Sequence, residues 1–318
     1  MMDVKIGDKV ATREAYGKTL VELGATHDFV VLDADLAEAT KTVYFKKAFP
    51  DRFFDCGIAE GNMIGVAAGL AAAGKSVFAS SFAMFAAGRA FEQVRNSVAY
   101  PHLNVKIAAT HAGITVGEDG ATHQCNEDIA IMRTLPGVTV INPSDAVEAA
   151  AALEAALTTD GPFYLRFGRY AVPVIHDPAT YRFELGKGEV VRDGSDVTLV
   201  ATGLMVSMAL EAAAILAEEG ISARVINIHT VKPLDVDLIA KAAVETGAIV
   251  TAEEHSVIGG LGSAVAETLA EICPVPTLRV GVKDTFGRSG TVPALLEKYQ
   301  LTPAAIVEKA KAAVAMKK

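Results

Sequence analysis

The segment GIAEGNMIGVAAGLAAAGKSVFA, residues 57–79, decides the fold. Residues 60–73 are rich in alanine and apolar side chains and predict a helix, and Gly74 is a typical helix end. Residues 76–79 then predict a short buried strand. A helix that leads directly into an apolar strand is the repeating unit of an α/β protein with parallel strands.

The same alternation continues along the chain. Strands are predicted at 29–32, 105–110, 138–141, 163–167, 197–201, 223–228, 248–252 and 277–280. Helices are predicted at 11–23, 85–99, 126–134, 145–157, 206–219, 236–246 and 261–272, with a last helix from 304 that docks loosely. Residues 171–194 are less regular and contain two prolines. We therefore expect an α/β protein of two domains, each a mostly parallel sheet flanked by helices, at 1–170 and 195–318, joined by a linker at 171–194.

Charge and composition exclude several classes of protein. The net charge is −9 and there is no run of lysine or arginine, which argues against a nucleic-acid or membrane-surface partner. The three cysteines are far apart, so a disulfide framework or structural zinc site is not expected. Residues 1–10 lack the apolar core of a secretory signal, and the most apolar stretch, 63–73, is too short to span a bilayer. A cytoplasmic protein is expected.

Glu60 stands at the start of the helix that decides the fold. A carboxylate there can simply stabilise the helix dipole, and spacing alone favours that reading. It can also be a general acid that faces an apolar helix seam. Glycines at 57, 61, 65 and 69 recur every fourth residue and predict a flat stripe that another helix can approach closely.

Two rings, Phe82 and Phe85, lie three residues apart in SSFAMF, after the next predicted strand. The pattern alone favours ordinary core packing. The alternative is a pair of rings that holds a flat heterocycle.

The loop THAGITVGEDGATHQ, residues 110–124, brings together His111, Asp119 and His123. Loops that follow strand ends carry the chemistry of α/β folds, so a polar substrate-binding loop is the better reading. A metal site that uses both histidines and Cys125 lacks the usual ligand spacing.

Two arginines, Arg166 and Arg169, end the strand segment YLRFGR. Each is either a surface charge or a clamp for an anion, since a guanidinium at a strand end suits a phosphate.

Taken together, GIAEGNMIG, SSFAMF and GEDGATHQ resemble the C-terminal half of transketolase, from about Arg13 to the C-terminus. The resemblance implies a thiamine-diphosphate pyrimidine-binding domain followed by the transketolase C-terminal domain. It implies transfer of a two-carbon ketol unit from a ketose phosphate to an aldose phosphate, with thiamine diphosphate and Mg²⁺ as cofactors, in the pentose phosphate pathway.

The resemblance also assigns residues on the cofactor side of the site. Glu60 matches the glutamate that bonds the ring nitrogen of the aminopyrimidine and is a catalytic residue. Phe82 and Phe85 match rings that line the pyrimidine, and Asp35 matches an acidic residue near the cofactor.

On the substrate side, Asp119 and His123 match residues that bind the sugar hydroxyls. His111, Arg13 and Arg169 match positions that bind the sugar phosphate. His123 and His111 are the expected proton carriers.

The sequence departs from the family in three places. Gly88 stands where the family has a tyrosine beside the pyrimidine, and Ala39, followed by Thr40, stands where it has a phosphate-binding serine. The family's diphosphate and Mg²⁺ motif, GDG followed by an asparagine, is not found. The resemblance therefore implies an N-terminal partner subunit that carries that motif and most of the Mg²⁺ site, with no metal ligand in this chain. An α₂β₂ assembly with two copies of this chain is expected.

Three alternatives stay open on the sequence. One is the beta subunit of a 2-oxo-acid dehydrogenase decarboxylase, whose histidine loop is usually of HSQ type. Another is an enzyme that resembles deoxyxylulose-phosphate synthase, and the last is a non-catalytic relic of the fold.

Overall fold

The computed structural model describes residues 4–317, so the expectations for the first three residues and for Lys318 lie outside it. The chain forms two main sheets, each covered by helices. Both sheets are mostly parallel, and the predicted α/β class with two sheet-and-helix units is confirmed. Between residues 4 and 317, no helix is long and apolar enough to cross a membrane.

The first sheet has seven strands in the order β12-β6-β7-β5-β4-β2-β3, and all neighbours are parallel except β12 and β6. Its strands are β2 (Val30–Asp33), β3 (Phe53–Asp55), β4 (Val77–Phe82), β5 (Val105–Thr110), β6 (Thr139–Ile141), β7 (Phe163–Arg166) and β12 (Thr230–Lys232). The helices of this half are α1 (Thr12–Gly24), α2 (Ala37–Thr40), α3 (Val43–Ala48), α4 (Glu60–Ala72), α5 (Phe91–Gln93), α6 (Asp128–Arg133) and α7 (Ala146–Thr158).

The second sheet has the order β14-β13-β10-β11-β9 and is parallel except for β9. Its strands are β9 (Glu189–Arg192), β10 (Val197–Ala201), β11 (Ala223–Asn227), β13 (Ile249–Ser256) and β14 (Thr277–Val282). Its helices are α8 (Met205–Glu218), α9 (Val236–Thr246), α10 (Leu261–Ile272), α11 (Val292–Lys298) and α12 (Pro303–Ala315).

The segment 171–194 is attached to structure at both ends. Its start, β8 (Ala171–Pro173), pairs antiparallel with β1 (Lys9–Ala11), and its end contributes β9 to the second sheet. β12 also crosses from the second half of the chain into the first sheet. The domain limits at 170 and 195 therefore stay a prediction.

The segment predicted as one helix, 85–99, is not a regular α-helix. It consists of α5 between two π-helical turns, Met84–Arg89 and Val94–Ala99. The wide turns are closed by bonds from Ala90 N to Phe85 O (3.1 Å) and from Tyr100 N to Arg95 O (2.9 Å). Each wide turn inserts a residue and rotates the side chains that follow, a change often found at functional sites.

The last helix, α12, packs firmly, so the expectation of loose docking is wrong. Ile306, Ala310 and Ala313 are fully buried. They lie on one helical face and join the core of the second sheet together with α8, because apolar residues recur there at helical spacing.

Candidate active site

The predicted site residues lie at one edge of the first sheet. Phe82 is the last residue of β4, His111 directly follows β5, and Arg169 lies three residues beyond β7. These strands are parallel neighbours in the order β7-β5-β4, so their carboxyl ends meet at the same edge. Such an edge is where open α/β sheets bind ligands.

Glu60 is the first residue of α4 and only 1 % exposed. Its Oε2 accepts a hydrogen bond from Nη1 of Arg89 at 2.7 Å. The helix N-terminus and the guanidinium both favour the negative charge of this buried carboxylate. Glu60 therefore lies in the first turn of α4, where its charge interacts favourably with the helix dipole, and it also lies beside the aromatic residues of the ligand-binding edge through Arg89.

Arg89 was not singled out from the sequence. It ends the first π-helical turn, and its guanidinium carbon lies 4.6 Å from the centroid of the Phe85 ring. The side chain is 52 % exposed, so Arg89 forms part of the wall beside Glu60. The only signal in the sequence is a single arginine among small residues in FAAGRAF.

Phe82 and Phe85 form an aromatic cluster with the two loop histidines. The two phenylalanine rings are stacked with centroids 5.8 Å apart. The His111 ring stacks on Phe82 at 3.8 Å, and the His123 ring meets Phe85 edge-on at 5.4 Å. The structure thus brings the two phenylalanines and the two histidines into one aromatic cluster. Phe82 is buried and Phe85 is half-buried.

His111 is buried and both of its ring nitrogens are bonded. Nε2 lies 2.9 Å from Nη1 of Arg13, and Nδ1 lies 2.9 Å from the hydroxyl of Thr110. Arginine can only donate, so Nε2 accepts and Nδ1 carries the proton. Burial, followed by the charges of Arg13 and Arg169, lowers the pKa of His111 to about 3. His111 is therefore a neutral imidazole at neutral pH.

Arg13 and Arg169 lie close enough for their charges to interact. Burial and the charge of Arg169 lower the pKa of Arg13. Arg13 donates to the carbonyl of Ala39 at 2.9 Å, and Arg169 donates to the carbonyl of Val116. Like charges held together in this way favour an anion between them.

Lys41 is a third cation near His111, and it was not predicted from the sequence to belong to the site. Its charge also lowers the pKa of His111, and its ammonium lies 3.6 Å from Glu14.

Asp119 and His123 lie on the open side of the loop. Asp119 is 39 % exposed, and its carboxylate is 3.7 Å from Nη1 of Arg169. His123 is half-buried, and its Nδ1 contacts the hydroxyl of Thr122 at 2.9 Å, which leaves Nε2 unbonded among the described residues. Both side chains can reach a polar ligand at the edge.

Asp35 is exposed and has a left-handed backbone, with φ 62°. Its amide donates to Oδ1 of Asp55 at 3.0 Å. The buried neighbour Asp33 organises this turn instead: it accepts from the hydroxyls of Thr40 (2.7 Å) and Thr42 (2.9 Å), and burial raises the pKa of Asp33 to about 6.

The family departures have structural counterparts. The Thr40 hydroxyl is buried against Asp33, so Thr40 does not take the place of the missing serine. A side chain at Gly88 would collide with the methyl group of Met84, so a tyrosine there would have to displace that side chain.

Arg166 is neither a surface charge nor a clamp for a ligand. It is 3 % exposed, and its Nε donates to Oδ2 of Asp128 at 2.8 Å. Its Nη2 donates to the carbonyl of Glu254 at 2.9 Å, on β13 of the second sheet. The sequence-based reading fails because the second half of the chain covers this strand end.

Among residues 4–317, one group has the composition of a metal site: Glu148, His176 and Glu189. Both ring nitrogens of His176 bond carboxylates at 3.0 Å, those of Asp145 and Glu189. Glu148 accepts from Tyr181, among other donors. This group shares no residue with the candidate site, and hydrogen bonds already use its ligand atoms.

Comparison with known families gives two matches that together span most of the chain. Residues 8–174 match the family "Transketolase, pyrimidine binding domain", and residues 186–306 match "Transketolase, C-terminal domain".

Individual relatives match over nearly the whole chain. A putative transketolase C-terminal section from Methanocaldococcus jannaschii is 51 % identical over 93 % of this chain and 94 % of its own. A 6-deoxy-6-sulfo-D-fructose transketolase subunit from Clostridium sp. is 50 % identical over 94 % of this chain and 92 % of its own. A solved structure described as "Split gene transketolase, inactive beta4 tetramer" superposes with a TM-score of 0.91 at 55 % identity, covering 97 % of this chain and all of that one.

Proposed function

Because the chain belongs to the transketolase family, we propose that it is the C-terminal subunit of a split transketolase. In this proposal it transfers a two-carbon ketol unit from a ketose phosphate to an aldose phosphate. The observation that carries the proposal is the meeting, at one sheet edge, of a buried carboxylate, an aromatic cluster and a pair of arginines.

The residues present fit the pyrimidine half of thiamine diphosphate. Glu60 offers a buried carboxylate whose described side-chain partner is Arg89, at Oε2. Phe85 is half-buried and offers a flat ring next to it. The chain would hold the pyrimidine with Glu60, Phe82 and Phe85. When bound, thiamine diphosphate supplies a nucleophilic carbon and an electron sink for cleaving the bond beside a carbonyl.

Glu60 would hold a proton at the pyrimidine ring nitrogen, and Arg89 keeps its carboxylate in place. Because Arg89 bonds Oε2, a ligand nitrogen meets a carboxylate that is already oriented.

The loop and the arginines would orient the sugar. Asp119 and His123 are accessible and would bond its hydroxyls. His123 would move the protons, because its Nε2 has no hydrogen-bond partner among residues 4–317. His111 would lie beside the phosphate and hold Arg13 in place as a neutral acceptor. Because both of its ring nitrogens are bonded and its pKa is about 3, we do not assign it the proton transfer that the resemblance implies. Arg13 and Arg169 would bind the terminal phosphate, and the free energy of that contact would help to orient the sugar for reaction.

We further propose an N-terminal partner subunit that carries the diphosphate and most of the Mg²⁺ site. The names of the relatives, a "C-terminal section", a "subunit" and a "split gene" product, support this arrangement. An α₂β₂ assembly, a cytoplasmic location and a role in pentose phosphate metabolism belong to the same proposal, as does Asp35 as a residue near the cofactor.

The substrate class is tested by comparing two donors in the complex reconstituted from the two subunits. With thiamine diphosphate and Mg²⁺, xylulose 5-phosphate and ribose 5-phosphate should give ketol transfer, while a 2-oxo acid should give no decarboxylation. If the complex turned over the 2-oxo acid but not the ketose phosphate, the chain would instead be the beta subunit of a 2-oxo-acid dehydrogenase.

A further inference from the structure

The loop after β5 carries His111, Asp119 and His123, and part of its base is held by the second half of the chain. The loop closes on itself through Gly113 N, which donates to Cys125 O at 2.8 Å. Residues 111–117 are buried, and the exposed part is the tip around Asp119. The position of the tip therefore depends on what fixes the buried base, together with the tip's own contacts with Arg169 and with Ser289 after β14.

Glu254 of β13 supplies one anchor. This carboxylate is 5 % exposed, and its Oε1 accepts from Thr115 N at 2.6 Å, across 139 residues of sequence. A side chain at Gly113 would collide with the same carboxylate, so Glu254 lies directly against the loop backbone. Gly113 also has a φ of 76°, which favours glycine.

Gln124 supplies the other anchor, next to His123. Its Nε2 donates to Ile114 O (3.1 Å) within the loop and to Arg288 O (2.9 Å) in the segment after β14. The loop is thus fixed to the second half of the chain at Thr115 and at Gln124.

Burying a carboxylate costs free energy of desolvation. A protein with a well-packed apolar side chain in its place is often equally stable. Glu254 faces the charge of Arg166, which compensates part of this cost. What an apolar residue cannot reproduce is the acceptor for Thr115 N. Without it, that buried amide would lose its partner.

We propose that Glu254 is a positioning residue for ketol transfer, holding the loop through Thr115 so that Asp119 and His123 meet the sugar hydroxyls. This inference rests on the proposed function. It gives the second sheet a role in sugar binding, although none of the site residues lies on it.

The neighbouring residue Glu253 provides a matched control. It is fully buried on the same strand, and its carboxylate also accepts from backbone amides, those of Leu261 (2.7 Å) and Gly262 (2.9 Å). Those amides belong to α10 and not to the loop. Substitution of Glu253 therefore removes a buried carboxylate acceptor of the same strand without removing a bond to the loop.

The anchor is tested first by hydrogen exchange on the full chain without its partner. Glu254→Met removes the acceptor at similar length, and Glu254→Ala is the second variant should the first not fold. Loss of one hydrogen bond worth about 1.4 kcal/mol should speed exchange of residues 113–124 about tenfold. Glu253→Met should leave that exchange unchanged. Full protection of the loop in both Glu254 variants would overturn the proposal.

The consequence for sugar binding is tested in the reconstituted complex. Glu254→Met should raise KM for the ketose donor about tenfold while the affinity for thiamine diphosphate stays as in the wild type. Glu254→Gln should restore most of the loss, because its amide oxygen still accepts from Thr115 N. An unchanged KM, or the same rise in Glu253→Met, would contradict the proposal. If the wild-type complex transfers no ketol unit, the proposed function fails, and the exchange experiment still decides the anchor.

Discussion

Arg89 is the residue whose role the structure adds to the site. It bonds the buried Glu60 carboxylate and lies over the Phe85 ring. It therefore connects the proposed proton-holding group to the aromatic wall.

Arg89→Ala should lower kcat of the reconstituted enzyme by about tenfold to a hundredfold, because Glu60 loses its charge-assisted bond and its orientation. Thermal stability should also fall, because the substitution leaves the buried Glu60 carboxylate without its ion-pair partner. The measurement is steady-state ketol transfer with assembly checked by sedimentation. Arg95→Ala, at an exposed arginine of the same helical run, is the control and should keep wild-type kcat. Equal kcat in the two variants would remove Arg89 from the site.

His111 gives a prediction that needs no partner. Its pKa of about 3 means that the ring stays neutral from pH 8 down to pH 5, whereas an ordinary histidine titrates near 6.5. Ring chemical shifts of His111 should therefore stay constant across this range, while those of free histidine in the same buffer move. A His111 midpoint near 6 would contradict the buried, Arg13-bonded geometry.

At this scale, prediction from sequence succeeds where a residue's position is set by its own strand or helix. Phe82, His111 and Arg169 follow strand ends, so the parallel sheet alone gathers them. Arg89 and Glu60 are 29 residues apart, and their pairing depends on how two helical segments pack. Such a contact cannot be read from local pattern.

The helix α4 carries most of the glycine stripe predicted from the sequence. Gly57 precedes the helix, with φ 69°, and Gly61 faces the Gln93 side chain. Gly65 and Gly69 have no atom within 4 Å of an added side chain among the described residues, so the predicted stripe is only partly covered within the chain. This open face is where we propose that another subunit packs.

Gly65→Gln should leave the isolated chain at least as stable as the wild type. Helix propensity improves by about 0.5–1 kcal/mol, Gly65 is exposed, and an added Cβ would meet no atom of the described residues within 4 Å. The same change should weaken subunit association, since a long side chain now stands in a close seam. Thermal unfolding and sedimentation measure the two effects. Ala304→Gln, on an exposed face of α12, is the control for surface substitution. Normal assembly in Gly65→Gln would place the subunit contact elsewhere.

Most of the long helices and central strands were predictable from hydrophobic period and glycine stops. The sequence analysis did not predict the short or peripheral elements α2, α3, α11, β3, β9 and β12. Two further failures have a clear physical reason. The π-helical turns around α5 keep an apolar pattern that looks like an ordinary helix, so periodicity does not reveal them. Arg166 was misjudged because an alternating strand pattern shows which face is polar but not that β13 covers it.

The buried apolar residues described by the structure form three clusters. One of them joins residues of α4 and β4 to residues of β11, α9 and α10, so the two sheets are packed together. At the start of α7, buried Asp145 and Glu148 meet His176 and Glu189 of the connecting segment. At this junction, hydrogen bonds between charged groups connect α7 of the first half to the segment that leads into the second sheet.

The junction makes stability depend on pH. Burial lowers the pKa of His176, but bonds to Asp145 and Glu189 outweigh it and raise the pKa to about 10. The unfolded histidine has a pKa near 6.5. The stabilisation is therefore complete below pH 6.5, falls as pH rises, and is lost above about pH 10.

Urea unfolding should show His176→Gln to be less stable than the wild type at pH 6, with the difference shrinking steadily towards pH 10. His27→Gln, at an exposed histidine, should match the wild type throughout. A difference that stays constant from pH 6 to pH 10 would mean that His176 is not held as a cation.

The central claim is that this chain supplies the carboxylate-bearing half of a site that it shares with a partner. The direct test measures ketol transfer from xylulose 5-phosphate to ribose 5-phosphate for this chain alone, the candidate N-terminal subunit alone, and the two mixed. Glu60→Ala in the mixture serves as the matched inactive variant. Activity only in the wild-type mixture, with Glu60→Ala assembled but inactive, is the expected result. Turnover by either subunit alone, or wild-type activity in the Glu60→Ala mixture, would contradict the shared site.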